Sequence, residues 1–218
     1  MFRVNFLGVL YPTRSVIVRL PGDRLWVWAP VDLDAELRTE LEEVGMVAYL
    51  ITPNKFHYLC LEEWCKAYPN AELWGPASAI RKCRSLSFSG QLTDTAPSSW
   101  SEVIDHVWFR GSPFLDEIEF FHLPSGTAIL ADLSQNFSDD FLQQYWSWWR
   151  RYIAHFLGIT EHHSRAPLEV RFSFLNRKLG KSALQQMLAW EPKRVVMAHG
   201  RCFEGDAQEY LQHAFDWL

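Results

Sequence analysis

The run MVAYLIT, Met46 to Thr52, is apolar at nearly every position, and it restricts the fold more than any other stretch of the chain. A strand with one wet face alternates polar and apolar residues, whereas an unbroken apolar run belongs to a strand covered on both faces. The sheet that contains it must therefore carry material on both sides. Upstream, DLDAELRTELEEVG sets Leu33, Leu37, Leu41 and Val44 on one stripe, offers Asp32 or Asp34 as a cap and stops at Gly45, which predicts an amphipathic helix. Before it, Ser15–Leu20 and Arg24–Pro30 read as strands joined by a Pro21-Gly22-Asp23 hairpin turn, after a short leader. After it come a helix over about His57 to Tyr68, a short strand AELWG and a small helix near Ala77 to Arg84.

Residues 85–101, rich in Ser, Thr, Gly and Pro, predict a long surface loop rather than a boundary. Three strands follow, HVWFR, EIEFFHL and TAILADL, then one long helix from about Ser138 to Leu157 with Asp139 and Asp140 in its first turn. A basic, partly helical stretch (175–190), a strand RVVMAHG and a helix over about 206–218 close the chain. With 218 residues, 48% of them hydrophobic, one domain spanning 1–218 is expected.

A net charge of -5 and scattered arginines exclude a surface built for nucleic acid. No apolar run reaches the ~20 residues that a membrane-spanning helix needs. Cys60, Cys65, Cys83 and Cys202 lack metal-knuckle spacing, and a reducing, cytoplasmic setting is the expectation. Eleven tryptophans are many for this length, and several crowd into YWSWWRRY, Tyr145 to Tyr152. Phe141, Leu142, Tyr145, Trp146, Trp149, Tyr152, Ile153 and Phe156 are expected to pack on a sheet, leaving Trp148 outside as a homodimer contact. His162 and His163 fall in a polar connection and are assigned to solvent.

Three polar residues end strand-like runs: His57 after YLIT, Asp132 after TAIL and His199 after RVVM. Side chains at strand ends leave the packed core yet stay rigidly held, so ligand sites gather there. In this order the features resemble the metallo-β-lactamase-like hydrolase superfamily from about Ser15 onward, and the resemblance implies a four-layer αββα sandwich of two mixed sheets, an α/β (α+β) fold. The family turn THxHxDH, set on Thr52, places Pro53, Lys55, His57 and Tyr58 on ligand positions, and the next ligand turn falls near Ser112. Asp132 then matches the metal-bridging aspartate and His199 the last histidine.

The resemblance implies an empty first metal site and a reduced second one made of His57, Asp132 and His199, suited to a single zinc, iron or manganese ion. A narrower likeness joins the chain to a divergent branch of that superfamily, a domain of unknown function, through Pro53-Asn54-x-x-His57, Trp64 with Tyr68-Pro69-x-Ala71, Phe120 to Thr127, and Asp132-Leu133.

Two functions follow. In the first, the fold survives for binding a small molecule or a protein, with no metal and with Lys55 and Arg201 as anion contacts. In the second, a one-metal enzyme activates water, Asp132 orients it or takes its proton, and Lys55 or Tyr58 steadies the oxyanion. Asn54, Tyr58 and His122 are ligand-contact candidates in either case, each with a structural alternative: Asn54 and Tyr58 as closures of the turn, His122 as a partner of Ser125 or Thr127.

Overall fold

The computed structural model describes the backbone of residues 2–6 and 9–218 and the side chains from Tyr11 onward. Its first elements lie in the leader: β1 (Phe2–Phe6) and β2 (Val9–Thr13) form an antiparallel ribbon. The first five-stranded sheet runs β3 (Val16–Leu20), β4 (Arg24–Trp28), β5 (Met46–Ile51), β6 (Glu72–Gly75), β7 (Gly90–Gln91). Its β3–β4 hairpin is antiparallel and its remaining pairs are parallel. The second sheet has the order β12 (Phe203–Glu204), β11 (Arg194–Met197), β10 (Thr127–Leu130), β9 (Glu117–His122), β8 (Ile104–Phe109), with only β10 and β11 parallel.

The layering follows from alternation in strands buried on both faces. In β4, Trp26 and Trp28 enter the core between the sheets with Ile51, Ile118, Phe120 and Ile129, while Leu25 and Val27 face helices with Leu41, Leu61 and Trp64. Those helices are α1 (Ala35–Val44) and α2 (Leu61–Ala67), flanked by α3 (Ala77–Lys82). Asp34 caps α1 by accepting from the Leu37 amide at 2.8 Å. On the far side, α6 (Leu168–Ser173), α7 (Arg177–Ala189) and α8 (Ala207–Ala214) cover the second sheet through Val170, Met187 and Leu211. The result is the αββα sandwich of two mixed sheets. No helix is long and apolar enough to cross a membrane among the described residues, and all four cysteines are free.

The helices depart from expectation in three ways. The helix after β5 begins at Leu61, not His57, because residues 52–60 are spent on a hydrogen-bonded turn. The long helix is two, α4 (Asp139–Tyr145) and α5 (Trp148–Leu157), since Trp146 adopts an extended backbone and Ser147 restarts the helix. The break re-aims α5. Ala154 stays buried against Phe137, Leu142 and Trp146, but Trp149, Tyr152, Ile153 and Phe156 point outward with Trp148, up to 77% exposed at Phe156.

One buried histidine sets a pH dependence far from strand-end chemistry. His106 in β8 donates from Nε2 to the Thr93 carbonyl at 2.8 Å, and its buried Nδ1 has no hydrogen-bond partner among the described residues. Burial pushes this imidazole below its ordinary 6.5, against the pull of the Thr93 carbonyl and of Asp105 and Asp94. The unfolded chain thus takes up the proton first, so stability falls as pH drops below 6.5 toward the folded value. Urea unfolding at about pH 7.5 and about pH 5.5 should show a smaller acid loss in His106→Gln than in the wild type; equal losses would contradict this assignment.

Candidate metal centre

His57, Asp132 and His199 stand just beyond the C-terminal ends of the parallel strands β5, β10 and β11. The β5 turn is built locally: the Thr52 hydroxyl donates to the carbonyls of Asn54 (2.8 Å) and His57 (3.0 Å), and the Asn54 amide oxygen accepts from the backbone N–H of Phe56 (2.7 Å) and His57 (3.3 Å). After β11, Gly200 takes φ 95° with the Asn136 carbonyl against it, where a Cβ would come within 2.0 Å of that oxygen. Only glycine fits this turn.

The three side chains converge. His57 Nε2 lies 3.5 Å from Asp132 Oδ2 and His199 Nε2 lies 3.2 Å from Asp132 Oδ1. The two imidazoles stack at 5.3 Å, and Trp28 stacks on His57 at 6.0 Å. His199, 8% exposed, donates from Nδ1 to the Pro12 carbonyl at 2.9 Å, a bond that leaves Nε2 aimed at Asp132. Pro12 sits in β2, so the ribbon that begins the chain orients the last histidine. Arg14 clamps the same loop by donating to the carbonyls of Met197 and Gly200.

A neutral His199 held this way would face a carboxylate with a lone pair, so a positive charge must sit between them. Either a proton or a metal ion satisfies that demand. Burial opposes the imidazolium, yet the hydrogen bond and charge of Asp132, with the Pro12 carbonyl, raise His199 above its ordinary 6.5. Burial likewise works against the Asp132 charge, and His57 and His199 overcome it, holding the carboxyl well below the usual range. The donor set also fits a metal: ligand atoms each ~2.1 Å from one ion lie roughly 3.0–3.5 Å apart, and two imidazoles with a carboxylate suit zinc, iron or manganese.

Beneath Asp132 lies a buried carboxylate absent from the sequence-based assignments. Glu117, fully buried in β9, accepts from the backbone N–H of Asp132 (2.9 Å) and Leu133 (2.8 Å) and from the Asn54 side-chain amide, whose Nδ2 also reaches Asp132 Oδ2 at 2.8 Å. Burial, then the Asp132 charge, pushes Glu117 up to about 7. Glu119, next along the same face, is pushed well above the carboxylate range by burial and by Glu117. Asn54 thereby has partners at both ends, the turn amides on its oxygen and Glu117 with Asp132 on its Nδ2, and holds Asp132 in place.

The centre opens into a cavity of about 220 Å³ walled by Tyr11, Val31, Phe56, Phe114, Gln135 and Val170, with Asp132 and Glu169 as its acidic members. Four other expected ligand contacts lie outside it. Lys55 is drawn over the rings of Phe56 and Phe114, at 5.2 and 4.9 Å. Tyr58 turns into the α1–α2 layer under Lys82. Arg201 pairs with Glu161 at 3.4 Å on the surface. His122 bonds Ser125 at 2.7 Å at the opposite end of β9. The other positions that the resemblance set against ligand positions have partners too: the Pro53 carbonyl accepts from Ile118 N–H, and Ser112 Oγ contacts Ser173 Oγ and accepts from the amides of Phe114 and Leu115.

The sequence matches no protein-family model and no curated protein. Solved structures match over nearly the whole chain. DIM-1 metallo-β-lactamase exposed to ceftazidime aligns with a TM-score of 0.67 at 10% identity, over 99% of this chain and 89% of that one. A metallo-β-lactamase from Pontibacter korlensis gives 0.64 at 13% identity, over 99% and 91%. Rubredoxin oxygen:oxidoreductase from Desulfovibrio gigas gives 0.61 at 13% identity, over 98% of this chain but 54% of that one. The chain therefore has the metallo-β-lactamase fold. At these identities the likeness defines architecture, and the reaction is argued from the side chains.

Proposed function

We propose that the protein holds one divalent transition-metal ion on His57, Asp132 and His199 and acts as a hydrolase-like enzyme on a neutral, largely apolar small molecule. The observation that carries this reading is the posture of His199, with Nδ1 committed to Pro12 and Nε2 turned on Asp132, the arrangement that fixes a metal-binding tautomer. When bound, such an ion supplies Lewis acidity at the floor of the cavity. Asp132 stays ionised and orients a water by accepting its hydrogen bond, while Asn54 and Glu117 keep the carboxylate in place.

A single ion is favoured because Pro53, Lys55 and Ser112 stand where further histidines would be needed. Val31, Phe56, Phe114 and Val170 favour an apolar ligand. A neutral one is favoured because the Lys55 ammonium is taken up by the outer rings Phe56 and Phe114 without lining the cavity, Arg201 pairs with Glu161, and Glu169 sits on the wall.

One observation supports the other reading, a metal-free binding module: Asp132 already has Asn54, His57 and His199 as partners without any ion. Elemental analysis with a hydrolysis assay separates the two. The enzyme reading expects His199→Ala and Asp132→Ala each to lose one equivalent of metal relative to the wild type. It also expects chelator-sensitive hydrolysis that prefers neutral apolar esters to phosphate monoesters of matched size. Equal metal content in all three proteins and no hydrolysis would leave the binding module.

A further inference from the structure

A second set of convergent ligands lies on the outer face, away from the strand ends. Asp139 opens α4, His155 sits in the last turn of α5, and His162 lies in the connection assigned above to solvent. His155 Nε2 is 3.5 Å from Asp139 Oδ1 and His162 Nε2 is 3.3 Å from Asp139 Oδ2. The imidazoles stack at 5.8 Å, and ligand atoms of all three residues lie within 4.8 Å of one another. His162 is exposed, as its polar surroundings suggest, but its ring folds back onto Asp139.

The backbone holds this geometry independently of the three side chains. The Phe137 amide donates to the Ile159 carbonyl at 3.0 Å and the Glu161 amide returns to Phe137 at 2.9 Å, which zips the connection to the start of α4. Gly158 in the left-handed region turns the chain out of α5, and Ile159 N–H caps Ala154. Phe137, Leu142, Trp146, Ala154 and Ile159 form one buried cluster under all three elements. The ligands thus stand on a packed platform and lose little freedom on binding.

Within it, Asp139 Oδ1 is shielded from solvent yet accepts no hydrogen bond among the described residues. Its neighbour His155 is near enough for charge attraction but poorly placed as a donor. One carboxylate thus has an imidazole nitrogen beside each oxygen, His155 at 3.5 Å from Oδ1 and His162 hydrogen-bonded to Oδ2 at 3.3 Å, and a cation between them would take up the lone pairs of all three groups.

We infer that Asp139, His155 and His162 form a second, surface metal site for a zinc-class divalent ion, which ties α4 to α5 and to the 159–163 connection. Two neutral imidazoles and one carboxylate leave room for water on the open side, where a cleft of about 160 Å³ runs along Leu142, Trp148 and Tyr152. Arg151 on that cleft opposes a cation and keeps the affinity on the order of micromolar.

The test uses the full chain carrying His199→Ala, which disables the strand-end centre, titrated with zinc against a chromophoric chelator and with cobalt for its visible absorption. One equivalent should bind, the melting temperature should rise with zinc, and His155→Ala or His162→Ala added to that background should weaken binding at least tenfold and remove the thermal shift. Both histidines are exposed, so these variants should fold, and circular dichroism checks it. Absence of binding in the His199→Ala protein, or binding unchanged by both histidine substitutions, would overturn the assignment.

Discussion

Replacing Glu117 by leucine is expected to cost about 3–5 kcal/mol of folding stability, the largest effect of any single change near the candidate centre. The side chain collects the amides of Asp132 and Leu133 and the Nδ2 group of Asn54, all buried or nearly so. Leucine has similar volume and no acceptor, so it strands three donors at roughly 1–3 kcal/mol each, offset in part by removing a buried carboxyl. The damage should concentrate where those donors are, at the ends of β5 and β10. Chemical denaturation should give a lower midpoint with an unchanged slope, and a loss below about 1 kcal/mol would show that Glu117 does not anchor this corner.

The second large effect is expected from Asp132→Asn, which keeps shape and removes charge. His57 and His199 would then face a neutral amide, and the proposed metal would lose its one anionic ligand. Spread over a few ligands, typical binding free energies imply a drop of about 100-fold or more in affinity. Competition with a chelator in a His162→Ala background, where the surface site is disabled, measures this centre alone. An affinity within tenfold of the parent would place the metal elsewhere.

The residues whose convergence was legible in the sequence are those for which position alone, without side-chain direction, brings them together. His57, Asp132 and His199 each follow an apolar run, and parallel strands bring such ends together whatever the details of packing. Lys55 and Tyr58 neighbour His57 in the chain, but a tight turn sends successive side chains to different places: one over Phe114, the other into the helix layer.

Glu117 was hidden by the same alternation that revealed the strands. In EIEFF an acidic residue at every second position suggests a wet face, yet in an αββα sandwich both faces of β9 are covered and the acid serves neighbouring backbone instead. The α4–α5 break left no signal either, since neither Gly nor Pro marks Trp146 and Ser147. Nor did anything in the leader announce that Pro12 would orient His199, a partner 187 residues away.

Anomalous diffraction at the zinc edge, from crystals grown with zinc, would locate an ion at the strand-end centre. A peak is expected about 2.0–2.2 Å from His57 Nε2, His199 Nε2 and an Asp132 oxygen, with His199 Nδ1 still on the Pro12 carbonyl. A map with no peak there, and both imidazoles still resting against Asp132, would contradict the proposed metal centre.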